Sequence, residues 1–249
     1  HGGGRGMSLH KELSFEDEVC DHLGAHGWLY TPGDAAAYDR KRALFPADLV
    51  AWVQETQPQA WEGLQKAHGA AAEATLLDRV RKSLDDRGTL DVLRHGFETI
   101  GVKAKIALAQ FKPASGMNPA IVARYQANRL RVVRQVRYSL HNENCIDLVL
   151  FLNGIPVATV ELKTDFTQSV GDAVDQYRHD RHPTPKGQGA EPLLSFPSGA
   201  LVHFAVSNFE VMMTTRLAGP ATTFLPFNLG DGGGKGNPKD GKGHPTRYL

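Results

Sequence analysis

Asp147, Glu161 and Lys163 stand on two neighbouring apolar runs, and an acid followed by Glu-x-Lys in that setting has the donor types for metal-assisted hydrolysis of a phosphodiester. Asp147, Glu161 and the backbone carbonyl of Leu162 offer hard oxygen ligands of the kind Mg²⁺ prefers, leaving positions for water and a phosphate oxygen. A cation there lowers the pKa of the water and stabilises charge in the transition state. Lys163 has the charge to position that water and offset developing negative charge.

The short pattern carries no weight alone, because an acid two residues before a lysine also occurs at Asp39/Lys41 and Asp240/Lys242. Asp39 lies in a charged Tyr-Asp-Arg-Lys-Arg segment and Asp240 in a Gly-rich tail. Only Glu161 ends a strand-like run. Residues 146–152 are apolar except for Asp147, Asn153-Gly154 signals a hairpin, and 156–163 resumes with β-branched residues. A carboxylate inside an apolar strand needs a cation, a metal or hydrogen bonds.

The period of two puts Val157, Thr159, Glu161 and Lys163 on one side of the second strand. A plain two-residue Asn-Gly turn pairs Ile146 with Glu161 and sends Asp147 to the opposite face. For Asp147 to join Glu161, residues 147 and 161 must pair, which demands a three-residue connection or a bulge. The same residues also suit a purely structural arrangement, with Asp147 and Lys163 as an ion pair and Glu161 solvated at the strand end.

Beyond Lys163, apolar residues at 166, 170, 173, 174 and 177 predict an amphipathic helix, with Ser169 and Asp172 spaced as a cap. The order strand, turn, strand with Glu-x-Lys, then a helix carrying Gln is that of the PD-(D/E)xK nuclease fold. The run NCIDLVLFLNGIPVATVELK, the later DAVDQYRHDR, GALVHFAVSNFEVMMTTRL, TTFLPFN and a GNP segment resemble the N-terminal nuclease domain of the R subunit (HsdR) of type I restriction-modification enzymes. Ser14-Phe-Glu16-x-x-Val19-x-x-x-Leu23-x-x-x-Gly27-Trp28 resembles that family's opening helix. The match runs from about residue 8 to the end. The resemblance implies that Asp147 and Glu161 are metal ligands, Lys163 the catalytic lysine, Glu16 an accessory acid and Gln176 the Gln of a Gln-x-x-x-Tyr motif. Two departures stand: Asp180 occupies the Tyr position of that motif, with Tyr177 adjacent to Gln176, and Ile146 replaces the nominal Pro.

Two cysteines in 249 residues, Cys20 and Cys145, read as reduced core thiols of a cytoplasmic protein and cannot make a cysteine-type zinc site. No apolar run reaches the length of a membrane span or a signal-peptide core. His179 and His182 read as surface residues. A net charge of +1 says little about a polyanion partner. Its distribution says more: Arg124, Arg129, Arg131, Arg134 and Arg137 precede the hairpin, and Arg178 and Arg181 follow it. Of these, Arg134, Arg137, Arg178 and Arg181 are the candidates for DNA phosphates, against the alternative of an ordinary solvated face.

Helical spacing appears over 14–26, 43–56 and 70–86, Thr89 reads as a cap, and Asn118-Pro119 as N-cap and first helical residue. Segments 106–111, 131–138, 201–207 and 209–215 read as strands. Together these give an α/β restriction-endonuclease-like core, a mixed central sheet flanked by helices, with a helical N-terminal insertion. Residues 1–6 read as a remnant ahead of a native start at Met7, residues 7–229 as the nuclease domain, and 230–249 as a Gly-rich linker. Gly-Lys-Gly at 241–243 lacks the features of a Walker A loop, so no ATP site is expected here. The resemblance implies Mg²⁺ as cofactor, with Mn²⁺ as a substitute, and ATP only for motor domains that follow in the family. It implies double-stranded DNA, methyltransferase and specificity subunits as partners, and no membrane. Two other readings remain at this stage: a non-catalytic DNA-binding or subunit-docking module, and a repair or resolvase nuclease of the same fold.

Overall fold

The computed structural model describes residues 3–164 and 168–243, with side chains from residue 10 onward. Phe166, expected on the helix after Lys163, lies outside the described residues. Six strands form one mixed sheet in sequence order: β1 (Leu130–Arg137), β2 (Cys145–Leu152), β3 (Ile155–Leu162), β4 (Val202–Val206), β5 (Val211–Thr214) and β6 (Leu225–Pro226). Neighbours are antiparallel except β3 and β4, which run parallel. A parallel pair needs a crossover, and helix α7 (Val170–Asp180) supplies it. Its start is fixed by the Ser169 N–H donating to Asp172 Oδ2 at 2.6 Å.

Helices α1 and α7 cover opposite faces of the sheet. On α1 (Gly3–Ala25), Phe15, Val19, Cys20 and Leu23 form a stripe at helical spacing against Val132, Leu148, Val160 and Leu162. On α7, Ala173, Val174 and Tyr177 bury against Val133, Val149 and Ala205. A third core lies beyond the β2–β3 turn, where α2 (Pro46–Thr56), α3 (Pro58–His68), α4 (Ala72–Arg87) and α5 (Thr89–His95) pack around Trp52, Leu64, Leu84 and Ile155. Cys20 is a free, buried thiol, and burial pushes its pKa up to about 12.

The hairpin meets the register condition by way of a bulge. Leu152 pairs with Ile155 and Phe151 with Pro156 across a two-residue Asn153-Gly154 turn, but Leu150 pairs with Ala158, so Val157 is the extra residue. Leu148 then faces Val160, and one step further Asp147 faces Glu161. Asn153 and Gly154 both have positive φ, as a type I′ turn requires. A Cβ on Gly154 would lie 2.5 Å from the Phe45 carbonyl oxygen and 2.8 Å from Leu49. Gly154→Ala is therefore expected to destabilise the domain by more than about 1 kcal/mol, seen as a lower denaturant midpoint. An unchanged midpoint would show that this contact does not pin the hairpin.

Several elements differ from the sequence reading. Helix α3 was not anticipated; Pro58 opens it at N1. Segment 106–111 is not a strand. Ile106 makes an isolated bridge to Phe97, and Ala107 is held instead by side chains, Gln57 at 2.8 and 2.9 Å and Trp52 Nε1 at 2.8 Å. Thr89 is the first helical residue of α5 rather than its cap, and its hydroxyl donates to the Gly199 carbonyl at 2.7 Å. Asn118 does cap α6 (Pro119–Gln126), accepting from the N–H groups of Ala120 and Ile121. The segment from residue 230 to 237 folds back beside the start of β5: the Asn237 N–H donates to the Phe209 carbonyl at 2.8 Å, and Asn228 Nδ2 to Asn237 Oδ1 at 2.8 Å.

Candidate active site

Asp147, Glu161 and Lys163 meet where β2 and β3 part. Asp147 sends its carboxylate into the gap, and its Oδ2 accepts the Leu162 N–H at 2.8 Å. Glu161 is fully buried. Its Oε1 accepts from Arg181 Nε at 2.6 Å, and its Oε2 is buried with no hydrogen-bond partner. Burial, and next the charge of the nearby Asp147 carboxylate, hold the Glu161 carboxyl well above its usual range, although Arg181 pulls the other way. Lys163 is largely buried, and the acid paired with it is Glu12 of α1, at 3.9 Å. The structural alternative of an Asp147–Lys163 ion pair does not form.

Helix α1 brings in two further acids. Glu16, expected as an accessory acid, accepts from Arg134 at 2.9 and 3.1 Å through Oε2 and from Gln135 Nε2 at 2.8 Å through Oε1. Burial and then Asp147 raise its pKa. Glu12 is raised by burial and by Asp147, against the lowering effect of Lys163. Asp147 thus lies between two sets of acids, Glu12 and Glu16 on one side and Glu161 on the other, with Lys163, Arg134 and Arg181 as the paired cations. Glu12 and Gln135 were missed in the sequence. Glu12 sits one helical turn before Glu16, a signal the spacing offered; nothing local distinguished Gln135.

The structure gives the four candidate arginines and Tyr177 partners within the chain. Arg134 is bound to Glu16 and Asp17, while Arg181, 6% exposed, is bound to Glu161 and the Cys145 carbonyl. The buried acids need these charges more than the surface does. Arg137 is exposed and paired with Glu143, and Arg178 donates to the Thr222 carbonyl, so neither faces the acids. Tyr177 cannot touch a substrate, because it is fully buried and its hydroxyl is hydrogen-bonded to Thr159 Oγ1 at 2.8 Å. Gln176 is half-buried, its amide oxygen without a partner among the described residues.

Thr159 also bonds His203 Nδ1 at 2.6 Å, completing a buried Tyr177–Thr159–His203 chain beneath Glu161. Burial lowers the His203 pKa to about 3. This folded-state value lies below the ordinary one, so the contribution of the neutral ring is complete above pH 6.5 and is lost as pH falls toward 3. We expect about 1.4 kcal/mol less stability per pH unit below 6.5 from this group. Replacing His203 with Gln should flatten the acid limb of a melting-temperature profile relative to the unmodified chain; parallel profiles would refute this.

A family model described as type I restriction enzyme R protein N terminus matches residues 12–222. The chain belongs to this family. Comparisons with curated proteins and with solved structures gave no match. The six-stranded mixed sheet with helices on both faces is the restriction-endonuclease-like fold that membership implies. It also decides against a repair or resolvase nuclease in favour of the restriction R protein. No helix among the described residues is long and apolar enough to cross a membrane. Among the described residues, no three His, Cys, Asp or Glu side chains form a group that could hold a metal. Any ion at this R-protein site would therefore rest on two carboxylates, backbone and water. The donor set fits a hard divalent cation: two opposed carboxylates, one oxygen of which is buried and partnerless.

Proposed function

We propose that this domain is a Mg²⁺-dependent endonuclease that cuts double-stranded DNA within a type I restriction complex. Asp147, Glu161 and the Leu162 carbonyl hold the ion, and Lys163 meets the scissile phosphate. The observation that carries this reading is the buried Glu161 oxygen with no partner, opposite Asp147, in a carboxyl whose charged form is strongly disfavoured without a cation. The Leu162 N–H faces Asp147, and within a strand residue N–H and C=O point to the same neighbour, so its carbonyl faces the same gap. When bound, Mg²⁺ supplies a Lewis acid for the phosphoryl oxygen and a water of lowered pKa. Lys163 orients that water and offsets charge on the phosphate, while Arg181 keeps Glu161 aligned. Glu16, with both oxygens taken, fixes the site rather than binding the ion.

Target choice would belong to the specificity subunit, with the methyltransferase as the other partner, and ATP use to motor domains. The domain would act in the cytoplasm, with Mn²⁺ able to replace Mg²⁺. The Glu161–Arg181 pair favours one other reading, an idle docking or DNA-binding module in which Arg181 alone satisfies the acid. Metal separates the two. At tenfold excess over its dissociation constant, Mg²⁺ should add about 1.4 kcal/mol of stability, roughly 3–6 °C in melting temperature. Thermal scans with millimolar Mg²⁺ or Mn²⁺ test this. No shift, or the same shift in Asp147→Ala, would favour the idle module.

A further inference from the structure

Gln135 has a φ of 50°, inside a strand. Asn153, at 49°, has the same sign because its turn requires it; no turn explains Gln135. It is also where the β1–β2 ladder lapses. Arg134 pairs with Leu148 and Val136 with Ile146, while Gln135 and Asp147, which face one another between them, are absent from the ladder. The lapse shows in the faces. A regular strand would place Val136 with Arg134, yet Val136 is buried with Val133 in the core under α7, and Arg134 reaches Glu16 on α1.

The carboxamide shows what the kink achieves. Gln135 Nε2 donates to Glu16 Oε1 at 2.8 Å and to Asp147 Oδ1 at 3.3 Å, so one amide group spans two acids whose charges repel. The Leu162 N–H holds the other oxygen of Asp147. Both oxygens of that carboxylate are therefore oriented by donors, one from β3 and one from the kinked residue of β1. Left-handed backbone at a non-glycine residue is costly, and such strain persists where the surroundings fix it for a purpose.

We propose that Gln135 is a positioning residue, kept in its left-handed conformation because this aims the carboxamide at Glu16 and Asp147 together and presets Asp147 toward Glu161. This rests on the nuclease reading, in which Asp147 is a metal ligand. Partners that orient a ligand are commonly worth 10-fold or more in metal affinity.

The test compares Gln135→Ala and Gln135→Gly with Asp147→Ala and the unmodified chain, in thermal scans across a Mg²⁺ titration. Both Gln135 variants lose the carboxamide, but only glycine relieves the positive φ. Without metal, the glycine variant should melt roughly 2–4 °C above the alanine variant, the reverse of an ordinary strand position. Both should need about 10-fold more Mg²⁺ for half the shift. Alanine melting at or above glycine would overturn the proposal. So would a wild-type Mg²⁺ midpoint in both Gln135 variants alongside a lost shift in Asp147→Ala, since a merely structural role lowers the metal-free melting temperature and leaves that midpoint alone. If the unmodified chain does not respond, or Asp147→Ala still does, the nuclease reading itself falls and the positioning role with it.

Discussion

In full-length R protein assembled with its partner subunits, Lys163→Ala and Glu161→Gln are each expected to lower plasmid cleavage by about 10²-fold or more while ATP hydrolysis continues. Lys163 lies at 3.9 Å from Glu12, beyond hydrogen-bonding distance, so its ammonium is available to a phosphate. Glu161→Gln keeps the shape of the side chain and still offers Arg181 an oxygen, but removes the charge that a divalent ion needs. Paired cleavage and ATPase assays give the readout. Cleavage retained in either variant would mean that the wrong residues carry the chemistry, and ATPase lost together with cleavage would point to a role in folding or docking.

The largest stability effect is expected at Arg181. Its guanidinium, 6% exposed, is paired with Glu161, which is fully buried, and it also donates to the Cys145 carbonyl at 2.6 Å. Removing one partner of a buried ion pair leaves the other charge uncompensated and typically costs about 3–5 kcal/mol. Arg181→Ala should therefore lower the metal-free melting temperature by at least about 6 °C. Protonation of Glu161, already favoured by its burial, should soften the loss at low pH. Mg²⁺ should restore more stability to this variant than to the unmodified chain, because the cation then supplies the compensation that Arg181 gave. An equal Mg²⁺ effect in both would show that ion and guanidinium do not act on the same carboxylate.

The sequence by itself determined the hairpin that carries the candidate site and the register it needs. Asn153-Gly154, Asp147 in an apolar run and Glu-x-Lys at a strand end required pairing of 147 with 161, since the side-chain period of two admits no other way to bring the acids together. Amphipathic spacing also marked α1 and α7, the helices that cover the two faces. The unforeseen helix α3 and the missing strand at 106–111 show where local pattern stops: Gln57 and Trp52 satisfy the backbone of Ala107 across about 50 residues of chain, which no window of sequence displays. Only the tertiary structure decided how 147 and 161 were brought level, with a bulge at Val157 rather than a longer turn. It also decided which groups the arginines pair with. Arg134 and Arg181 look like surface charges in a linear reading, but buried carboxylates from α1 and β3 bind them, because an uncompensated charge inside the protein costs more than a solvated one outside. Gln135 belongs to the same class: its backbone kink and its two acidic partners, 119 and 12 residues away, exist only once three elements have met.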